Sequence, residues 1–158
     1  MGVRIEGFDG MMRHLKNGAR KIVDKYLQDL SGLGDRAITF IREKSREEGI
    51  EDRSGNYRSS IGYVVVRDGQ IAAKGGFDRV DGPERAKSTV DGSQEGEEYA
   101  KRLAKNYPKG YALIVVVGVE YAAYLQSIEN KDVLASGEIF LNKELNGLVA
   151  EYKRKYGK

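Results

Sequence analysis

The side chains able to do chemistry in this chain are few, and each set depends on its setting. A general base would fall to His14, the sole histidine. It lies two residues after the apolar position Met12, off the apolar stripe, and no serine nucleophile with a supporting acid is signalled near it. A Ser-His-Asp triad is therefore not expected. Carboxylate pairs occur at Glu47-Glu48, Glu51-Asp52 and Glu97-Glu98, but sequence neighbours point to different helix faces and read as solvated charges. Asp78, Asp81, Asp91 and Glu95 would offer oxygen ligands to a hard cation such as calcium, yet the ligand alternation of an EF-hand loop is missing. The segments Lys74-Gly75-Gly76-Phe77-Asp78 and Asp91-Gly92-Ser93-Gln94-Glu95-Gly96 lack the spacing of a phosphate-binding loop. No catalytic residue, cofactor site or metal site is assigned, and a hydrolase built on the acidic loop is the weakest reading.

Basic and aromatic side chains offer a different chemistry. Arg53, Tyr57 and Arg58 could stack on bases or grip phosphate. The same loop reads equally as the lead-in to a strand, with Gly55 supplying a positive backbone angle. Lys153-Arg154-Lys155 suits the negative end of a helix dipole and equally a phosphate contact. Arg53, Arg58, Lys153 and Arg154 are the candidate nucleic-acid contacts. Tyr121 and Tyr124 flank the small pair Ala122-Ala123. They either meet another subunit or cap the core beside Gly118.

These residues must be positioned by regular elements. Phe8, Met12, Leu15, Ala19, Ile22, Tyr26 and Leu30 recur at helical spacing. Ser31-Gly32-Leu33-Gly34 breaks that pattern, and Asp35 can cap a second helix running to Glu48, so two N-terminal helices spanning 8–48 are expected as an antiparallel pair. Ser59 to Val66 reads as a strand, Asp68-Gly69 as a hairpin turn and Gln70 to Lys74 as the return strand. Alternation of Ile61, Tyr63 and Val65 suits a sheet open on one side. Residues 75–96 carry five glycines, Pro83 and many charges, which predicts an exposed, flexible glycine-rich loop. A short helix over Glu97 to Asn106 follows. Leu113 to Val119 is apolar at every position but Gly118, the pattern of a central strand covered on both faces. A C-terminal amphipathic helix spans 136–156.

The fold class is thus α+β: a small antiparallel sheet over 57–74 and 111–125, packed by N-terminal helices and a C-terminal helix, in one domain over 1–158. The 158 residues include no cysteine, which excludes disulfides and thiolate chemistry and suits a reducing cytoplasm. No stretch approaches the roughly 20 apolar residues of a membrane span, and the first residues lack the blocks of a signal peptide. A soluble, unprocessed protein with no membrane partner is expected. With 27 basic and 24 acidic side chains the net charge is +3, a mixed surface that does not by itself argue for nucleic acid.

Two short motifs carry a resemblance. Asp52, Ser54, Gly55, Asn56, Tyr57, Arg58, Ser60 and Ile61 lead into a strand, and Gly118, Tyr121, Ala122 and Tyr124 close the valine-rich strand. In type and order these resemble the head-tail joining and tail-completion (neck) proteins of tailed bacteriophages, also described as minor tail components. The chain departs from that family's pattern at Gln126-Ser127-Ile128-Glu129, at Ala135 to Phe140 and in the length of its 75–96 insertion. The resemblance implies a structural virion protein without catalytic activity that assembles as a ring, expected to be a hexamer, at the neck or tail end. Its partners would be copies of itself, the portal or connector, tail proteins and, in passing, genomic DNA in the lumen. It would reside in the host cytoplasm during assembly and then in the virion. Tyr57, Arg58, Tyr63, Phe77, Tyr121 and Tyr124 are the candidate subunit-interface residues. The alternative is a nucleic-acid-binding module using the basic, aromatic loop and the basic C-terminal helix.

Overall fold

A computed structural model describes residues 2–4, 19–118 and 133–157. In chain order the elements are β1 (Gly2–Arg4), α1 (Ala19–Glu47), α2 (Asn56–Ser59), β2 (Ile61–Arg67) and β3 (Gln70–Gly76). A 3-10 turn (Arg85–Lys87), α3 (Gly92–Ala104), β4 (Tyr111–Val117) and α4 (Val133–Tyr156) complete them. The strands form one antiparallel sheet in the order β1-β4-β2-β3. The fold is α+β, as the pattern of periods predicts. The short pairing of β1 with β4, Val3 opposite Leu113, has no forecast in the sequence.

The expected break in the N-terminal helix is corrected: α1 runs unbroken through Ser31-Gly32-Leu33-Gly34. The buried residues Val23, Tyr26, Leu30, Leu33, Ala37, Ile41 and Ser45 step by three or four straight across the glycines, and a continuous stripe is worth more than two poor helix formers cost. Gly34 is there for packing. A Cβ at that position would lie 2.5 Å from the Tyr63 ring, so the ring of β2 beds against helix backbone. Residues 8–18 of the expected first helix lie outside the described residues.

The sheet is not open on one side. Ile61, Tyr63, Val65, Leu113, Val115 and Val117 face α1 and α4, while Val64, Val66, Ala112, Ile114 and Val116 face Ala100 and Ala104 of α3. Helix α3, which covers the second face, begins at Gly92, five residues before its expected start. The Asp91 carboxylate accepts from the Ser93 amide (3.0 Å) and the Gln94 amide (3.4 Å), supplying the N-cap that lets a helix start in glycine-rich sequence. Its hydrogen bond from the Ser93 hydroxyl is the main reason its pKa lies below the ordinary aspartate value. The expected 75–96 loop therefore shrinks from both ends, since β3 also extends to Gly76.

The hairpin turn follows the sequence. Asp68 and Gly69 take φ of 50° and 80°, as a primed turn requires. Asp68 Oδ1 also accepts from the Gly110 amide at 2.8 Å, fastening the hairpin to the start of β4. Gly34→Ala should lower the urea midpoint, an overpacking cost of about 1–3 kcal/mol that outweighs the helix-propensity gain. Gly147, where an added Cβ meets nothing within 4 Å, should give the opposite sign in α4: Gly147→Ala raises stability by up to about 1 kcal/mol.

Candidate functional site

The segment Asp52 to Ser60, singled out for both nucleic acid and assembly, folds as a buried corner between α1 and β2. Asp52 is 7 % exposed. Its two carboxylate oxygens accept from the Tyr57 amide (3.1 Å) and the Arg58 amide (2.8 Å). These are N–H groups that the single turn of α2 would leave without partners. Gly55, at φ 83°, turns the chain into α2 with no room for a side chain, because a Cβ would collide with the Val80 carbonyl.

Asn56 is the hub. Its Oδ1 accepts from the Gly92 amide (3.1 Å) and from the Arg85 guanidinium, and its Nδ2 donates to Ser88 Oγ (2.8 Å). Ser59 Oγ accepts from the Val80 amide at 2.7 Å and approaches the Gly55 carbonyl at 2.7 Å. Arg85 also donates to the Val90 carbonyl at 2.9 Å. The stretch between β3 and α3 is thereby stitched to the corner from Val80 to Gly92. Sequence reasoning missed Arg85, Ser88 and the inward role of Asn56. An isolated arginine in a glycine-rich segment carries no signal of its partner.

The candidate residues separate accordingly. Tyr57 has no exposed surface; it belongs to the core, and its hydroxyl lies 3.4 Å from Ser45 Oγ. Tyr63, 3 % exposed, is likewise a core residue, with Asp35 and Ser31 near its hydroxyl. Neither ring is presented for stacking on bases or on a neighbouring subunit. Phe77 is partly buried at φ 57° and packs over Gly62, where a Cβ would meet the ring at 2.5 Å. Tyr121 and Tyr124 lie outside the described residues, as does His14.

Arg53 and Arg58 border an open groove of about 410 Å3 with Ile50, Glu51, Asp52, Pro83 and Glu84. Arg53 pairs with Glu51 at 3.2 Å. Three carboxylates share the groove with the two arginines, so its field does not favour a polyanion. Lys153 and Arg154 are exposed on the last turns of α4. Tyr152 touches Tyr26 and Asp29 near one end of α1, whereas Tyr57 touches Ser45 near the other. Along a helix that separation is roughly 30 Å, so the four expected nucleic-acid contacts do not form one surface.

The acidic residues 78–95 do not gather round a cation. Asp78 meets Arg42 (3.4 Å), Asp81 meets Arg79 (2.9 Å), and Asp91 caps α3. No group of three or more potential metal ligands occurs among the described residues. Arg42 also donates to the Ile61 carbonyl at 3.3 Å. A second open groove, of about 350 Å3, is lined by Asp35, Arg36, Thr39, Phe40, Glu43 and Phe140. Its floor is the stacked pair Phe40 and Phe140, with centroids 4.8 Å apart. No described helix is long and apolar enough to cross a membrane.

Asn56→Ala should cost about 1–3 kcal/mol, because it leaves the buried Gly92 amide without an acceptor, and should speed hydrogen exchange at Gly92 selectively. Burial, then the adjacent Asp35 carboxylate, pushes the Tyr63 hydroxyl up to about 12. The folded state thus favours neutral Tyr63. Its contribution is complete below the ordinary tyrosine value near 10 and is lost as pH rises toward about 12. Tyr63→Phe should flatten the fall of the urea midpoint over that window; an unchanged slope would refute the assignment.

Compared with known proteins, the chain matches no family model, no curated protein and no solved structure.

Proposed function

We propose that the chain is a structural virion subunit of a tailed phage or prophage, joining head to tail or completing the tail as a ring at the neck. The reading rests on the resemblance of the two motifs, and one structural observation supports it. Much of the first motif is spent on architecture: Asp52, Gly55, Asn56 and Ser60, with the intervening Ser59, turn their polar groups inward to hold the α1-to-β2 corner. A motif used this way suits a scaffold protein rather than an enzyme, and we assign it no catalytic activity.

A ring subunit needs complementary surfaces on opposite sides. Strand β3 forms one edge of the sheet, with Gln70, Ile71 and Ala72 exposed and the register shifted beside Ala72. An edge strand accepts a neighbour's strand, while the bulge and Lys74 discourage indiscriminate pairing. With Tyr57 and Tyr63 in the core, the proposed contact moves to this edge and to half-exposed Phe77. Six-fold stoichiometry, the portal and tail partners, passage of DNA through the lumen, and the course from host cytoplasm to virion all follow from the same reading.

The nucleic-acid module in its original form is less well supported, because its residues lie at two ends of α1 and Tyr57 has no exposed ring. Light scattering and electron microscopy of the purified protein, alone and with portal protein, test the proposal. Rings are expected, and Ile71→Glu, at an exposed position, should leave a folded monomer. Purified virions of the source phage with no copy of the chain at the neck would overturn it.

A further inference from the structure

Helices α1 and α4 run antiparallel. Phe140 stacks on Phe40, Gly137 packs against Ile41, Arg36 reaches Glu144 at 3.4 Å, and Tyr152 lies against Tyr26 and Asp29. That pairing brings residues before Tyr26 level with residues after Tyr152. Arg20, Lys21, Lys25, Lys153, Arg154 and Lys155, all exposed, therefore share one end of the helix pair. The carboxylates there are Asp24, Asp29 and Glu151.

The pairing leaves an excess of positive charge. Lys25 is bound to Asp29 at 3.0 Å and Lys155 to Glu151 at 2.8 Å, and Asp29 also accepts from Tyr152 at 2.5 Å. Two of the three carboxylates are thus engaged. Arg20, Lys21, Lys153 and Arg154 make no ion pair among the described residues; Asp24 and, through its field on Arg154, Glu151 oppose them. The last turn of α4 can use cations to complement its dipole. Arg20 and Lys21, on the other helix, have no such role, and the like charges of the two helices repel.

We propose that this end of the α1-α4 pair is a contact surface for the phosphate backbone of duplex DNA. Two helix ends presenting long cationic side chains can meet phosphates without reading bases, which gives weak, sequence-independent and salt-sensitive binding. An anionic membrane is the other partner such charge could meet, but stable membrane attachment needs an apolar anchor beside the charge. The exposed large apolar side chains of the described residues, Ile71, Val90 and Ile139, lie elsewhere. Ile22 and Tyr156, the apolar residues at this end, pack against the core. The inference does not depend on the neck reading: a monomer would show the same binding.

The test is fluorescence anisotropy of a labelled duplex of about 30 base pairs titrated with the intact protein between about 50 and 200 mM salt. Four phosphate contacts predict that Kd rises on the order of 100-fold across that range. The variant Arg20→Gln/Lys21→Gln/Lys153→Gln/Arg154→Gln changes exposed residues only and should keep its urea midpoint. It should show weaker binding at low salt and a rise of about tenfold or less. Arg53→Gln/Arg58→Gln should bind as the parent does. Three results would overturn the proposal: no binding at the lowest salt, an unchanged salt slope in the quadruple variant, or loss of binding in the Arg53/Arg58 variant. Capture by vesicles of phosphatidylcholine and phosphatidylserine, without DNA binding, would replace it with a membrane surface.

Discussion

The contact on which the rest of this structure depends is the close approach of the α3 backbone to the turn between Asn56 and Ser60. A Cβ at Gly92 would collide with the Asn56 carbonyl, and one at Gly96 with that of Ser60. Gly118, just after β4, has the same relation to Gly96. Three glycines at these places let main chain lie on main chain, and the Asn56 amide then satisfies the helix start. This seats α3 on the second face of the sheet. Without it, Val64, Val66, Ile114 and Val116 would lose the cover of Ala100 and Ala104 and would face water at a cost of about 1.5–3 kcal/mol per large side chain.

The other face depends on shape in a similar way. Tyr26 makes edge contacts with Tyr111 and Tyr152 at 5.4 and 5.1 Å, joining α1, β4 and α4 through one aromatic cluster. Tyr63 fits between Gly34 and Gly75, each of which would bring a Cβ to within 2.5 Å of its ring. Glycine in this protein is thus used for close packing inside elements as well as for turns. That double use explains why a reading that took Gly32 and Gly34 as helix punctuation split one helix into two.

For function, the same corner redirects attention. Polar and aromatic residues that look available in the sequence are consumed by folding: Asp52 and Asn56 by backbone amides, and Tyr57 and Tyr63 by the core. Among the described residues the surface still offers an edge strand, a mixed-charge groove beside Arg53 and Arg58, an aromatic-floored groove between α1 and α4, and a basic end where those two helices meet. Surfaces of this kind can recognise a partner by contact, and the assembly role proposed for the chain would draw on them.

Several features were determined by sequence alone because they rest on local rules. The Asp68-Gly69 hairpin follows from turn geometry, β4 from an unbroken apolar run, and α4 from helical spacing with a basic last turn. The α+β class follows from these periods. Only the tertiary structure decided that α1 is continuous, that β2 is buried on both faces, and that residues 80–92 are tied to the corner by Arg85, Ser88 and Asn56. The reason is physical. Whether a glycine ends a helix or admits a ring, and whether an asparagine faces solvent or caps a helix start, depends on what lies opposite, and chain neighbours carry no record of that. The site divided on the same ground: Lys153 and Arg154 were visible as a charge cluster, but their partners Arg20 and Lys21 became neighbours only when two helices far apart in the chain packed side by side.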